Sequence, residues 1–114
     1  MAEYNLEERT AKFSEDILDL LRAVKNNDLS RNIISQLIRS ATSIGANYME
    51  ANGASSKKDF KNKIHICKKE AMETKYWLRM LVKVSLENQD KCRDFWKEAQ
   101  QLTLIFSKIA NSSK

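Results

Sequence analysis

RSATSIGANYMEANGASSKKDFKNKIHICKKEAMETKYWLRML, residues 39–81, is the stretch whose reading decides the fold. It reads as the end of one helix, a tight turn at Asn52-Gly53, and most of the next helix. Ala41, Ile44, Gly45, Tyr48 and Met49 recur at helical spacing before the turn. Phe60, Ile64, Cys67, Ala71, Thr74, Leu78, Leu81 and Val82 do so after it. Two amphipathic helices joined by so short a turn pack as antiparallel neighbours. Gly53 falls where a left-handed residue would end the first helix. Ser56 and Asp59 have capping-box spacing at the start of the second, with Asp in place of the usual Glu or Gln. Gly45, inside an apolar face, costs about 1 kcal/mol of helix propensity relative to alanine. That cost predicts the close approach of a neighbouring helix.

The same pattern extends in both directions. Leu6, Thr10, Phe13, Ile17, Leu20, Leu21 and Val24 share a sector of about 100° and predict a first helix over 5–25, with Asn5 as N-cap. Lys25–Ser30 is turn-forming, and Ser30 is the candidate cap of a second helix over 31–52 that also buries Ile33, Ile34, Leu37 and Ile38. The third helix spans 56–84. The polar turn Ser85–Gln89 leads to a fourth over 90–111, capped by Asp90. Its stripe is Cys92, Phe95, Trp96, Ala99, Leu102, Thr103, Phe106 and Ile109. The expected architecture is all-α: an antiparallel up-down-up-down four-helix bundle, one domain over 1–114.

Composition agrees with this. Proline is absent, only two glycines occur, and hydrophobic residues at 42% with charged ones at 31% suit a helical core better than a sheet or a disordered chain. Glu3, Glu7, Glu8, Glu15 and Asp16 leave no apolar leader within the first twenty residues, and no run approaches the roughly 20 apolar residues that cross a bilayer. A cytoplasmic protein without membrane contact is the expectation. Cys67 and Cys92 both fall on apolar stripes, without a CxxC pair, and read as reduced core thiols.

Charge is unevenly spread. Of a net +5, the segment 57–83 holds nine Lys/Arg against three acids, a local +6 that leaves −1 for the rest of the chain. Lys57, Lys61, Lys68, Lys75, Arg79 and Lys83 share one side of the third helix, joined by Lys58 and Lys69. Repeated around an oligomer, such a stripe would address the phosphate backbone of RNA or DNA without regard to sequence; alternatively, it is a solvated lysine face. A third side of the same helix carries Ile66, Glu70, Glu73, Trp77 and Met80 with Lys63. The second helix has a matching polar row: Gln36, Arg39, Ser43, Asn47 and Glu50. Leu18, Leu104 and Ile105 also lie off the core stripes. These features suggest a second contact surface, hence self-association, against the alternative of a solvated row with scattered apolar groups.

No reaction chemistry is legible. A di-iron bundle needs paired Glu-x-x-His motifs, but the single histidine, His65, has Asn62 three residues before it and sits on the basic side. There is no glycine-rich phosphate loop and no hydrolytic triad. Glu70 and Glu73 are better placed to pair with Arg39 in a charge-assisted network with Asn47 and Glu50, between helices or between subunits. No cofactor or metal is expected.

The run RSATSIGANYMEANG resembles the second-helix signature of the four-helix bundle proteins of 23S rRNA intervening sequences, close to R-x-A-x-S-I-x-A-N-I-A-E-G. Arg39, Ala41, Ser43, Ile44, Ala46, Asn47, Glu50 and Gly53 correspond, with Ala51-Asn52 intervening before the glycine. The later run KIHICKKEAMETKYWLRML is similar to a family segment E-A-x-E-T-x-Y-W-L, through Glu70, Glu73, Thr74, Tyr76, Trp77 and Leu78. The resemblance implies a ring, favouring a homopentamer. It also points to related bundles such as the basic accessory protein of diversity-generating retroelements, which partners a reverse transcriptase and nucleic acid. It implies no settled activity. A protein-interaction adaptor that receives another protein on Leu104, Ile105 and the Trp77 side is the competing expectation.

Overall fold

The computed structural model describes residues 5–112. Four helices follow one another: α1 Leu6–Arg22, α2 Arg31–Asn52, α3 Lys57–Val84 and α4 Gln89–Ser112, with a 3-10 turn at Leu86–Asn88 before the last. Partner positions fall as residue numbers rise along every packed pair. Glu7 meets Asn52, Thr10 meets Gly45 and Ser14 meets the carbonyl of Ala41. Glu50 meets Lys63, the carbonyl of Ile44 meets Cys67, and Ser40 meets Thr74. Arg9 meets Glu98 and Phe13 meets Phe95. The four helices therefore run up, down, up and down.

The apolar stripes close on a single core in which Ile17, Leu37, Ile44, Ile64, Leu81 and Phe106 are fully buried. The α1–α4 seam is spanned by large side chains: the Phe13 and Phe95 rings meet edge-on at 6.0 Å, and Arg9 makes a two-pronged ion pair with Glu98 at 2.7 and 2.8 Å.

Gly45 does meet a neighbour. A Cβ built there would lie 3.1 Å from the Oγ1 of Thr10. That hydroxyl is fixed by a 2.6 Å hydrogen bond to the carbonyl of Leu6, and Thr10 is 1% exposed, so it has nowhere to move. Gly45→Val should therefore destabilise the fold by about 1–3 kcal/mol through overpacking, despite valine's better helix propensity. Urea unfolding measures this. A variant as stable as the parent would show that α1 and α2 are not in close contact here.

Several helix ends differ from expectation. Gly53 is not left-handed: its φ is −97°, and no described residue has positive φ. The last carbonyls of α2 are met instead by tight right-handed bonds, from Gly53 N to Glu50 O and from Ala54 N to Ala51 O, each 3.1 Å. Helix α1 ends at Arg22 rather than at residue 25. Ala23 and Val24 continue as a tighter turn bonded to Leu20 and Leu21, which keeps Val24 in the core. Ser30 makes no helix-capping bond. Its hydroxyl donates to the Lys25 carbonyl at 2.7 Å and accepts from Asn27 N, closing the preceding loop. Helix α4 begins at Gln89, so Asp90 lies in its first turn and is not its cap. Asn5 and Ser56 cap as expected, accepting from Glu8 N and Asp59 N.

Met49 and Trp96, expected in the core, are exposed, whereas Ile105 and Trp77, expected off the core stripes, pack against the core. Among the described residues, no helix is long and apolar enough to cross a membrane.

Candidate functional site

The polar residues of the α2–α3 seam form one cluster and two local bonds. Arg39 donates from Nη1 to Glu70 Oε1 at 3.1 Å, from Nη2 to Glu73 Oε2, and from Nε to Gln36 Oε1 at 3.0 Å. Trp77 Nε1 donates to the same Glu73 oxygen at 2.9 Å. Glu70 is only 8% exposed because α2 covers that side of α3. Ser43 and Asn47 turn back on their own helix, bonding the carbonyls of Arg39 and Ser43 at 2.7 and 2.8 Å. Glu50 pairs separately with Lys63 at 2.7 Å. These bonds close within one chain and tie α2 to α3 in register. Asn47 and Glu50 do not join the Arg39 cluster.

The cluster carries a pH signature. The hydrogen bond from Trp77 holds the Glu73 carboxyl below its ordinary value of 4.5, against a desolvation that pushes it up; Arg39 adds to the lowering. A carboxylate depressed in the folded state contributes stability present above pH 4.5, and that stability is lost as pH falls through the folded value. Urea midpoints at pH 7 and pH 3 should therefore differ less in Glu73→Gln than in the parent. An equal pH dependence would place Glu73 outside the stabilising set.

On the opposite flank of α3, Lys57, Lys58, Lys69, Arg79 and Lys83 are exposed, and Lys61, Lys68 and Lys75 are half-buried. Among the described residues none of these eight forms an ion pair. Lys75 is held in place differently: its ammonium donates to Gln100 Oε1 and lies 5.2 Å from the centre of the Trp96 ring on α4. His65 is exposed on this side.

Between the C-terminal half of α3 and the start of α4 lies a groove of about 440 Å³. Leu78, Val82, Cys92 and the indole of Trp96 give it an apolar lining, joined by the amide side chain of Gln89. Arg79 and Lys83 from α3 and Arg93 and Lys97 from α4 stand on its rim, and no carboxylate lines it. A reading confined to the third helix finds Arg79 and Lys83 but misses Arg93 and Lys97. The available signal was their i, i+4 spacing around Trp96, which puts all three toward one side of α4.

Burial pushes the Cys92 thiol up to about 11 and the Cys67 thiol up to about 12, so both stay protonated and unreactive at neutral pH. Among the described residues, no group of three or more His, Cys, Asp or Glu is placed to hold a metal ion. What the site offers chemically is a field of donors and one aromatic face, arranged over an apolar groove.

The model of the 23S rRNA-intervening sequence proteins matches residues 3–108. The chain belongs to that family. A crystal structure from Bacteroides thetaiotaomicron, described as a protein of unknown function from the S23 ribosomal protein family, superposes with a TM-score of 0.82 at 31% identity, covering 91% of this chain and 96% of that one. No curated protein matches. The resemblance read from residues 39–53 and 63–81 thus holds across the bundle, and with it the Arg39, Glu70 and Glu73 positions gain a physical role as the pins of the α2–α3 seam.

Proposed function

We propose that this family member is a non-enzymatic cytoplasmic scaffold that assembles into a ring, pentameric as the resemblance suggests, and binds the backbone of RNA or DNA on its α3–α4 face. The observation that carries the reading is the groove lined by four cations and no carboxylate, continuous along α3 with further lysines that form no ion pair among the described residues. Such a surface attracts phosphates and releases their counterions, with little preference for base sequence.

Assembly is supported at the Trp77 edge of α3. Tyr76 is exposed and meets Trp77 edge-on at 5.0 Å, giving an aromatic patch beside the Arg39–Glu73 pair. Fixed aromatic and arginine groups of this kind favour protein interfaces. Tyr76 stands among Lys69, Arg79 and Lys83 by helical spacing but does not line the α3–α4 groove, so a ring built on this patch leaves the groove open to nucleic acid.

Fluorescence anisotropy against labelled RNA and DNA at two salt concentrations tests the binding. Affinity should fall steeply as salt rises; no binding at low salt, or binding indifferent to salt, would refute it. Light scattering on the parent, Trp77→Ala and Tyr76→Ala tests the ring. The parent should be an oligomer and the variants smaller. A monomeric parent would favour the adaptor reading on Leu104, Ile105 and the Trp77 side, where Leu104 is exposed and Ile105 and Trp77 are partly buried.

A further inference from the structure

We infer that the α3–α4 groove is a seat for an unpaired nucleobase, so that this chain prefers single-stranded nucleic acid to duplex. The inference rests on the backbone-binding reading and adds a base-binding pocket to it.

Trp96 is the residue that calls for an explanation. It lies at the edge of the α4 core stripe yet is 40% exposed, and its indole forms part of the groove wall. A large apolar ring left in water would ordinarily be free to fold against the core. Here the ammonium of Lys75, itself tethered to Gln100, sits over the ring and holds it in position. A fixed, partly exposed indole is a stacking platform whose ordering cost has already been met by the fold.

The surroundings select the ligand. Leu78, Val82 and Cys92 make the groove apolar, suited to a flat, weakly hydrated ring. Arg79, Lys83, Arg93 and Lys97 surround it with positive charge from both helices, and no carboxylate opposes them. The ligand must therefore present an apolar planar group with negative charges spaced on either side. A nucleotide in a single strand does so: the base enters the groove and the flanking phosphates meet the rim. The volume, about 440 Å³, lies within the ordinary range of small-ligand sites, roughly 300–1,000 Å³. In a duplex the bases are stacked on one another and cannot enter, leaving only the phosphate contacts. Base stacking on an aromatic side chain tolerates any base, in keeping with a surface that does not read sequence.

The test uses the intact protein and three labelled oligonucleotides of equal length: a single strand, a hairpin duplex, and a strand with its bases removed. The parent should bind the single strand at least several-fold more tightly than either of the other two. Trp96→Leu should lose about tenfold in affinity for the single strand and stay within twofold for the duplex and the abasic strand. Trp96→Phe should recover most of the loss. Circular dichroism checks that each variant keeps the helical content of the parent. If the parent binds strand and duplex equally, or Trp96→Leu weakens all three alike, the base seat is wrong while backbone binding stands. If the parent binds none of them, both readings fall.

Discussion

Replacing Arg79, Lys83, Arg93 and Lys97 together with alanine should lower affinity for RNA or DNA by on the order of 10²–10³ at about 0.1 M salt. The magnitude follows from counterion release: each phosphate neutralised contributes about 0.9 for a duplex and about 0.7 for a single strand to the slope of log affinity against log salt, so four lost contacts remove up to about 3.6 or about 2.8. All four side chains are exposed and form no ion pair among the described residues, so their loss breaks no bond there. Relieving repulsion between like charges should leave the fold as stable as before or slightly more so. Lys12, Lys25 and Arg22 supply the control. They are exposed cations on or just beyond α1, away from the groove, and changing them to alanine should alter binding by less than about tenfold. Equal losses from the two sets would mean that net charge alone governs binding.

Phe106→Ala should cost about 3–5 kcal/mol of folding stability. Phe106 is fully buried, and its ring centre lies 5.9 Å from that of Tyr48 on α2. Removing it deletes apolar contact and leaves a cavity that rigid helices cannot fill by collapsing. Domains of this size hold only about 5–15 kcal/mol in total, so the variant would sit near the edge of folding. Leu104→Ala, two residues earlier in the same helix, should change stability by no more than about 0.5 kcal/mol because Leu104 is 52% exposed. The contrast tests the rotation of α4 about its own axis, on which the groove depends: a large cost at Leu104 would mean that the helix faces have been assigned the wrong way round.

Helix periodicity made most of the bundle legible. The stripe from Leu6 to Val24, the Gly45 approach and the Ser56 cap all follow from local spacing, because one helix face determines them. What was misread depends on neighbours. Val24 kept the apolar phase beyond the end of α1 because a 3-10 turn points its side chain inward almost as a helix would. Gly53 could end α2 in more than one way, and two right-handed bonds at 3.1 Å make a left-handed residue unnecessary. Trp96 and Glu70 each lie at the margin of an apolar stripe. Whether a marginal position is covered depends on which helix packs beside it: α2 covers Glu70, whereas Trp96, with the Lys75 ammonium over its ring, stays 40% exposed.

The candidate site was half legible for the same reason. The stripe along α3 is a property of one helix and can be read from its spacing. The groove is a property of two helices, and Arg93 and Lys97 acquire meaning only when α4 is laid antiparallel to α3, which brings them with Trp96 to the groove beside Arg79 and Lys83. Arg39, Glu70 and Glu73 come together as expected, but Asn47 and Glu50 bond elsewhere because about two and about three helical turns separate them from Arg39 along α2.

The central claim, that nucleic acid lies on the α3–α4 face, is tested most directly by ultraviolet cross-linking of a bound oligonucleotide followed by mapping of the modified peptides. Cross-links are expected in segments 57–84 and 89–112, with Trp96 among the modified positions. Cross-links confined to α1 or to the loop 23–30, or none at a concentration where anisotropy shows saturation, would contradict it.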